Sequence, residues 1–303
     1  MTDLTVGLIN NMPDSAFEAT ESQFRALLNA AAGAPVELRL TGLPEVPRGD
    51  SAAALFAERY WPLEDFLADP PDALIVTGTE PISADQRDEP YWERFIHLLD
   101  WSAARGLPSV WSCLAAHAAV LHLSGIPRER LEQKCFGVFE HSVEPHHPLM
   151  ANITAPLATP HSRWNDLPVS RLRSAGYTIL SECPQIGANV FVTNQGGTQM
   201  VFLQGHPEYQ SETLLKEYRR DIGRYVRARQ SFYPPLPHGY FPATSVALLE
   251  DFRRRAEADR RPQIMSDFPE STVRANLQPT WRDGTVQLYR NWLASVRIGR
   301  RAA

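Results

Sequence analysis

PSVWSCLAAHAAVLHLSG (108–125) runs from a short apolar stretch through a single cysteine, Cys113, into an alanine-rich segment that stops at Gly125. A strand-like run, one turn residue and then a helix-forming run read as a strand feeding a helix through Cys113. Upstream, TVGLI (5–9), VELRL (36–40) and ALIVTG (73–78) are further strand-like runs. Between them, ESQFRALLNAA (21–31) sets Phe24, Leu27 and Leu28 on one helical stripe. PYWERFIHLLDWSAARG (90–106) does the same with Trp92, Phe95, Ile96 and Leu99. Strands alternating with helices predict an α/β fold, a mostly parallel sheet covered by helices on both faces. Sites in such sheets gather at the carboxyl ends of the strands. Asn10–Pro13, Gly78–Glu80, Cys113 and His206–Glu208 all fall just past a predicted strand end.

Downstream, YTILSE (177–182), NVFVTN (189–194) and MVFLQG (200–205) have short connectors, NQGGT among them, and predict an antiparallel extension. SETLLKEYRRDIGRYVRAR (211–229) follows as a helix. The four prolines of SFYPPLPHGYFP then predict an extended segment crossing the surface. LLEDFRRRAEADRRPQ (248–263) reads as an exposed helix. TWRDGTVQLYRNWLASV (280–296) carries enough large apolar side chains to pack back on the body. The expected division is residues 1–242 as the main α/β domain and 243–303 as a C-terminal helical appendage on it.

The chain has 303 residues, 43% hydrophobic and 21% charged, the composition of a soluble globular protein. A net charge of −5 argues against a nucleic-acid surface. No apolar run is long enough to cross a bilayer, and Asp3 at the head of a strand-like start argues against a signal peptide. Cys113, Cys135 and Cys183 have irregular spacing and no CxxC, which fits a reducing compartment, the cytoplasm, and neither disulfides nor zinc.

A thiolate is the reactive form of cysteine, and a helix N-terminus favours it. The Leu114 N–H would face an oxyanion, with a second donor from the Gly78–Thr79 turn. His206 and Glu208, two apart in extended chain, face one side, so the carboxylate can orient the imidazole toward a thiol. A buried structural cysteine and an ordinary loop histidine are the alternative readings. Glu140, His141, His146 and His147 in EHSVEPHHP lack metal-ligand spacing and read as a solvated loop, so no metal is expected. PHSRWND (160–166) reads as a loop able to recognise a carboxylate. His117 and His122 have packing or surface roles, and Arg219 and Arg220 read as a solvated face.

Taken together, LINNMP, LIVTG with YW twelve residues on, the Cys113 elbow, FGVFEH, PHSRW, GHPEYQSETLLKEYRRD, GYFP and NWL resemble the homoserine transsuccinylase family. These homoserine O-acyltransferases share a fold with class I glutamine amidotransferases. The resemblance implies that Cys113 takes an acyl group, succinyl ahead of acetyl, from acyl-CoA as co-substrate. His206, oriented by Glu208, would then deprotonate the hydroxyl of L-homoserine, in methionine biosynthesis. It implies that Lys134, Ser162 and Arg220 hold the amino acid, that Ile82 occupies the donor-selecting position, and that the protein is a homodimer with no bound cofactor. Arg87 and Arg163 are candidate cations for a succinyl carboxylate. The chain departs from the family at the loop DSAFEA, at Ile82 where glutamate or glycine is common, at Leu114, at His117 where glutamine is usual, and at WRDGTVQL. L-serine as acceptor, a Cys-His-Glu hydrolase or amidotransferase, and a non-catalytic amino-acid sensor are the competing readings.

Overall fold

The computed structural model describes residues 4–33, 36–154, 156–195 and 197–302. Asp3, and Gly196 within NQGGT, lie outside them. In chain order the elements are β1 (Thr5–Ile9), α1 (Phe17–Ala32), β2 (Glu37–Thr41), α2 (Asp50–Arg59), α3 (Leu63–Ala68), β3 (Ala73–Thr77), α4 (Trp92–Ala104), β4 (Ser109–Ser112), α5 (Leu114–Ser124) and β5 (Glu129–Val143). There follow β6 (Leu157–Asp166), α6 (Val169–Ser174), β7 (Thr178–Cys183), β8 (Gly187–Gln195), β9 (Thr198–Leu203), α7 (Thr213–Val226), α8 (Ala243–Ala258), α9 (Glu270–Ala275) and α10 (Arg282–Ala302).

The strands form one sheet in the order β2-β1-β3-β4-β9-β8-β7-β5-β6. From β2 to β9 neighbours are parallel, and from β9 to β6 they are antiparallel. Alternate residues of each strand serve opposite faces, as the two-residue repeat requires. Leu74, Val76, Trp111 and Phe202 join a core under α4 and α5. Ile75, Val110, Val201 and Leu203 join one under α1 and α10. A third cluster lies between β5, α7, α8 and α9. α10 lies along α1, with Phe24 and Tyr289 ring centroids 6.5 Å apart and Trp292 and Leu293 buried in the same core.

Two strands escape the periodicity reading. PHSRWND belongs to β6, not a loop, and His141 belongs to β5, fully buried rather than solvated. β6 carries a proline and buried polar side chains in place of an apolar alternation. Its place at the sheet edge is what lets Pro160 stand in a strand. α8 is also less exposed than its charge suggests, since Leu249, Phe252 and Ala256 are buried. The proline-rich segment crosses β5 at Gly137, where His238 exchanges backbone hydrogen bonds of 2.7 and 3.0 Å with Val138 and Phe136. Gly137 has φ +141, and a Cβ there would come within 2.3 Å of the His238 backbone, so only glycine admits the crossing.

Candidate active site

β4 and β9 are parallel neighbours, with Ser112 opposite Leu203. The chain therefore leaves the sheet at Cys113 and at Gln204–His206 side by side, which joins residues ninety apart in sequence. The Cys113 N–H donates to the Leu203 carbonyl at 2.7 Å. Cys113 has φ 51 and ψ −112, a conformation costing a non-glycine residue about 1–3 kcal/mol. That strain turns the sulfur out of the sheet at the N-terminus of α5. Leu114 is the first residue of the helix, so its N–H is among the donors that helix geometry leaves free. Gly78 packs against this turn: a Cβ on it would meet Leu114 Cβ at 2.5 Å. The following residue, Thr79, is buried there.

His206 Nδ1 lies 2.8 Å from Glu208 Oε1, and Cys113 is near enough for its charge to act on the ring. All three residues are buried. Burial alone drives the imidazole toward neutrality. The Cys113 and Glu208 charges, with the Glu208 hydrogen bond, outweigh it and hold His206 well above its ordinary value. The second Glu208 oxygen is buried with no hydrogen-bond partner among the described residues. The His206 backbone N–H donates to the Pro160 carbonyl at 2.8 Å, fixing this residue to β6. Gly205 sits in a cradle where a Cβ would strike Thr159, Asn189 and His161 within 3 Å.

Lys134 on β5, Ser162 on β6 and Arg220 on α7 converge on two acids that the sequence reading passed over. Glu217 Oε2 accepts from Ser162 Oγ at 2.5 Å and lies 3.4 Å from Lys134 Nζ and 3.6 Å from Arg220. Asp221 lies 3.3 Å from Lys134 and 3.1 Å from Arg220. Glu217 and Asp221 stand four apart on α7, in the charged run KEYRRD, and that spacing on one helix face was the available signal. Tyr209, also passed over, donates its hydroxyl to Glu217 Oε1 at 2.8 Å.

Neither candidate cation for a donor carboxylate is free. Arg163 is almost wholly buried and donates to His161, the Asn165 and Ile186 carbonyls and Asp166. Arg87 is exposed and closed onto Asp85 at 2.6 Å. Ile82 is 70% exposed, on a loop whose 82 and 83 amides donate to Glu89 Oε1. Arg128, half-buried beside Tyr91, Glu89 and Asp85, makes no hydrogen bond or ion pair among the described residues.

Beneath the site Gln204 accepts from the Leu167 N–H and donates to the Ala188 carbonyl, which fixes its amide orientation. His117 must then donate through Nε2 to Gln204 Oε1, at 2.9 Å. Burial pushes His117 down from 6.5 to about 3 and His141 to about 4. Between those limits the unfolded chain binds protons that the fold refuses. Their contribution is complete above pH 6.5 and is lost as pH falls toward 3. His117→Gln is expected to unfold in urea like the parent at pH 7 and to be the more stable at pH 4.5, by about 3 kcal/mol. Equal losses on acidification would dismiss His117 as a source of acid lability.

Among the described residues no group of three or more His, Cys, Asp or Glu is arranged to hold a metal, and no helix is long and apolar enough to cross a membrane. All three cysteines are unpaired and buried.

The family model described as homoserine O-succinyltransferase matches residues 1–298. The chain is 45% identical to a homoserine O-succinyltransferase of Methylorubrum extorquens, over 97% of this chain and 87% of that one. It is 43% identical to one of Rhodopseudomonas palustris (97% and 88%) and 41% identical to one of Bradyrhizobium japonicum (98% and 91%). Among solved structures it is similar to a glutamine amidotransferase of Thermotoga maritima, TM-score 0.53 at 12% identity over 98% of this chain and 99% of that one. A glutamine amidotransferase of Methylobacillus flagellatus gives 0.52 at 13% identity, over 97% and 95%. At such identities the likeness carries the fold alone.

Proposed function

The chain belongs to the homoserine O-succinyltransferase family, acyltransferases of methionine biosynthesis, and from that premise we propose that it moves a succinyl group from succinyl-CoA to the hydroxyl of L-homoserine through an acyl-cysteine at Cys113. The observation that carries this reading is the pairing of neighbouring strand ends, which sets Cys113 beside a His206 that Glu208 orients at 2.8 Å. The Cys113 thiolate adds to the thioester carbonyl, and the oxyanion takes the N–H groups of Leu114 and Thr79. The carbon–sulfur bond to CoA breaks, and CoA leaves with the His206 proton. Neutral His206 then takes the homoserine hydroxyl proton as that oxygen attacks the acyl-cysteine, and Cys113 departs as thiolate. Thioester exchange is nearly balanced and the oxygen ester lies downhill.

A zwitterionic acceptor suits the second cluster. Its carboxylate replaces the internal acids as partner of Lys134 and Arg220, its ammonium goes to Glu217, and Ser162 stands near the reacting hydroxyl. For the far carboxylate of succinyl, Arg128 is the cation left open beside the loop of Ile82. Residues 1–242 carry the chemistry, with 243–303 as an extension on the same body, in a cytoplasmic homodimer.

Intact mass after incubation with succinyl-CoA, acetyl-CoA or no donor tests the reading. A succinyl adduct on Cys113, discharged by homoserine and not by serine, is the expected result. An acetyl adduct alone overturns the donor, and discharge by serine alone overturns the acceptor. No adduct from either donor removes the acyl-cysteine.

A further inference from the structure

Tyr209 reaches both halves of the site. Its ring stacks on the His206 imidazole, with centroids 4.5 Å apart and planes 15° from parallel. Its hydroxyl donates to Glu217 Oε1 at 2.8 Å, while Ser162 holds the other oxygen of that carboxylate. The backbone leaves the ring little freedom. The Tyr209 N–H donates to the His206 carbonyl at 3.2 Å, and its own carbonyl accepts from Trp281 Nε1 at 2.9 Å. One rigid side chain thus joins the catalytic imidazole to the carboxylate at the centre of the Lys134–Arg220 cluster.

We propose that Tyr209 is a positioning residue coupling the two: an amino-acid acceptor drawing on Glu217 resets the tyrosine, and the tyrosine sets the plane of His206. The acceptor's role rests on the reading above, whereas the tether and the stack are contacts of this chain alone. A carboxylate engaged by an ammonium gives up part of its hold on the phenol, so occupancy of the cluster changes the force on the ring. The imidazole feels that change through a stack whose geometry matters to its energy. Burial and the neighbouring Glu217 and Glu208 hold the phenol protonated, so the hydroxyl stays a donor throughout.

Tyr209→Phe keeps the stack and cuts the tether, and Tyr209→Leu removes both. With Tyr209→Phe, KM for homoserine is expected to fall about tenfold, because a phenol whose hold on Glu217 the ammonium weakens opposes that ammonium in turn, and CoA release from succinyl-CoA without acceptor is expected to change by a smaller factor. Tyr209→Leu is expected to slow both half-reactions more than tenfold. A phenylalanine variant that leaves KM unchanged, or slows both half-reactions alike, overturns the coupling. A readout free of turnover keeps it separate from the proposed reaction: the ¹⁵N signals of His206, recorded with and without homoserine. They are expected to move farther in the parent than in Tyr209→Phe, where only direct contact with the acceptor hydroxyl remains, and equal movement in the two overturns the coupling. Larger movement in the parent without any acyl adduct would sink the acyl-cysteine and leave the coupling standing, and no movement in the parent overturns the coupling.

Discussion

Cys113→Ser is expected to abolish acyl transfer, lowering kcat by at least about 10³-fold, and to leave no acyl adduct by intact mass. Serine fits the same elbow, so the variant should fold and its loss should be chemical. The hydroxyl lacks the acidity that lets a thiol share its proton with His206, and alkoxide formation has no comparable support at the N-terminus of α5. The donor half-reaction isolates the effect, because CoA release without acceptor needs only the nucleophile, the imidazolium and the two N–H donors. A serine variant releasing CoA at near the parent rate would remove Cys113 from the mechanism, whatever its place at the strand end.

His206→Asn is expected to cost about 10³–10⁴-fold in each half-reaction, measured separately as CoA release and as decay of the acyl-enzyme. The two steps ask opposite things of one imidazole: a proton for the leaving CoA, then a free nitrogen for the homoserine hydroxyl. The causes of its raised proton affinity supply the switch. Cys113 and Glu208 both hold the proton on His206 in the free enzyme. Acylation removes the sulfur's charge and its share of that hold, while Glu208 remains to orient the ring. Deacylation should therefore titrate at lower pH than acylation, losing rate as pH falls and the base protonates. Coincident profiles for the two half-reactions would contradict the exchange of roles, and an asparagine variant with near-parent decay would remove the base.

Strand ends made the grouping of Cys113, His206 and Glu208 legible. Four apolar runs ending at Asn10, Gly78, Cys113 and Gln204 sufficed to place Cys113 near His206, because a parallel sheet aligns its carboxyl ends. β5 and β6 left no such trace. The first half of β5, ERLEQK, is exposed or half-exposed and almost wholly polar, and β6 buries Thr159, His161 and Arg163. Two of them find partners distant in sequence, Thr159 in Asn189 and Arg163 in the Ile186 carbonyl, while among the described residues the His161 ring accepts only from Arg163, two residues away. Polarity alone therefore read as loop. Glu217 and Asp221 were hidden for a related reason, since a helix dense in both charges reads as a solvated face until β5 and β6 arrive over it. Arg163 shows the reverse error: its type invited a role in anion binding, and four internal acceptors already occupy it.

The packing partner of the first helix is the last one, and a ribosome makes them at opposite ends of its work. Phe24, Leu27 and Leu28 emerge early, yet the side chains that cover them, Tyr289, Trp292 and Leu293, leave the exit tunnel almost at the end of translation. For nearly the whole of synthesis the nascent chain presents that stripe to water or to a chaperone. A message cut short between Glu208 and α10 yields a polypeptide that holds Cys113, His206 and Glu208 and still displays an uncovered apolar face. The cell's proteases are thereby given a mark that distinguishes the unfinished copy from the finished one.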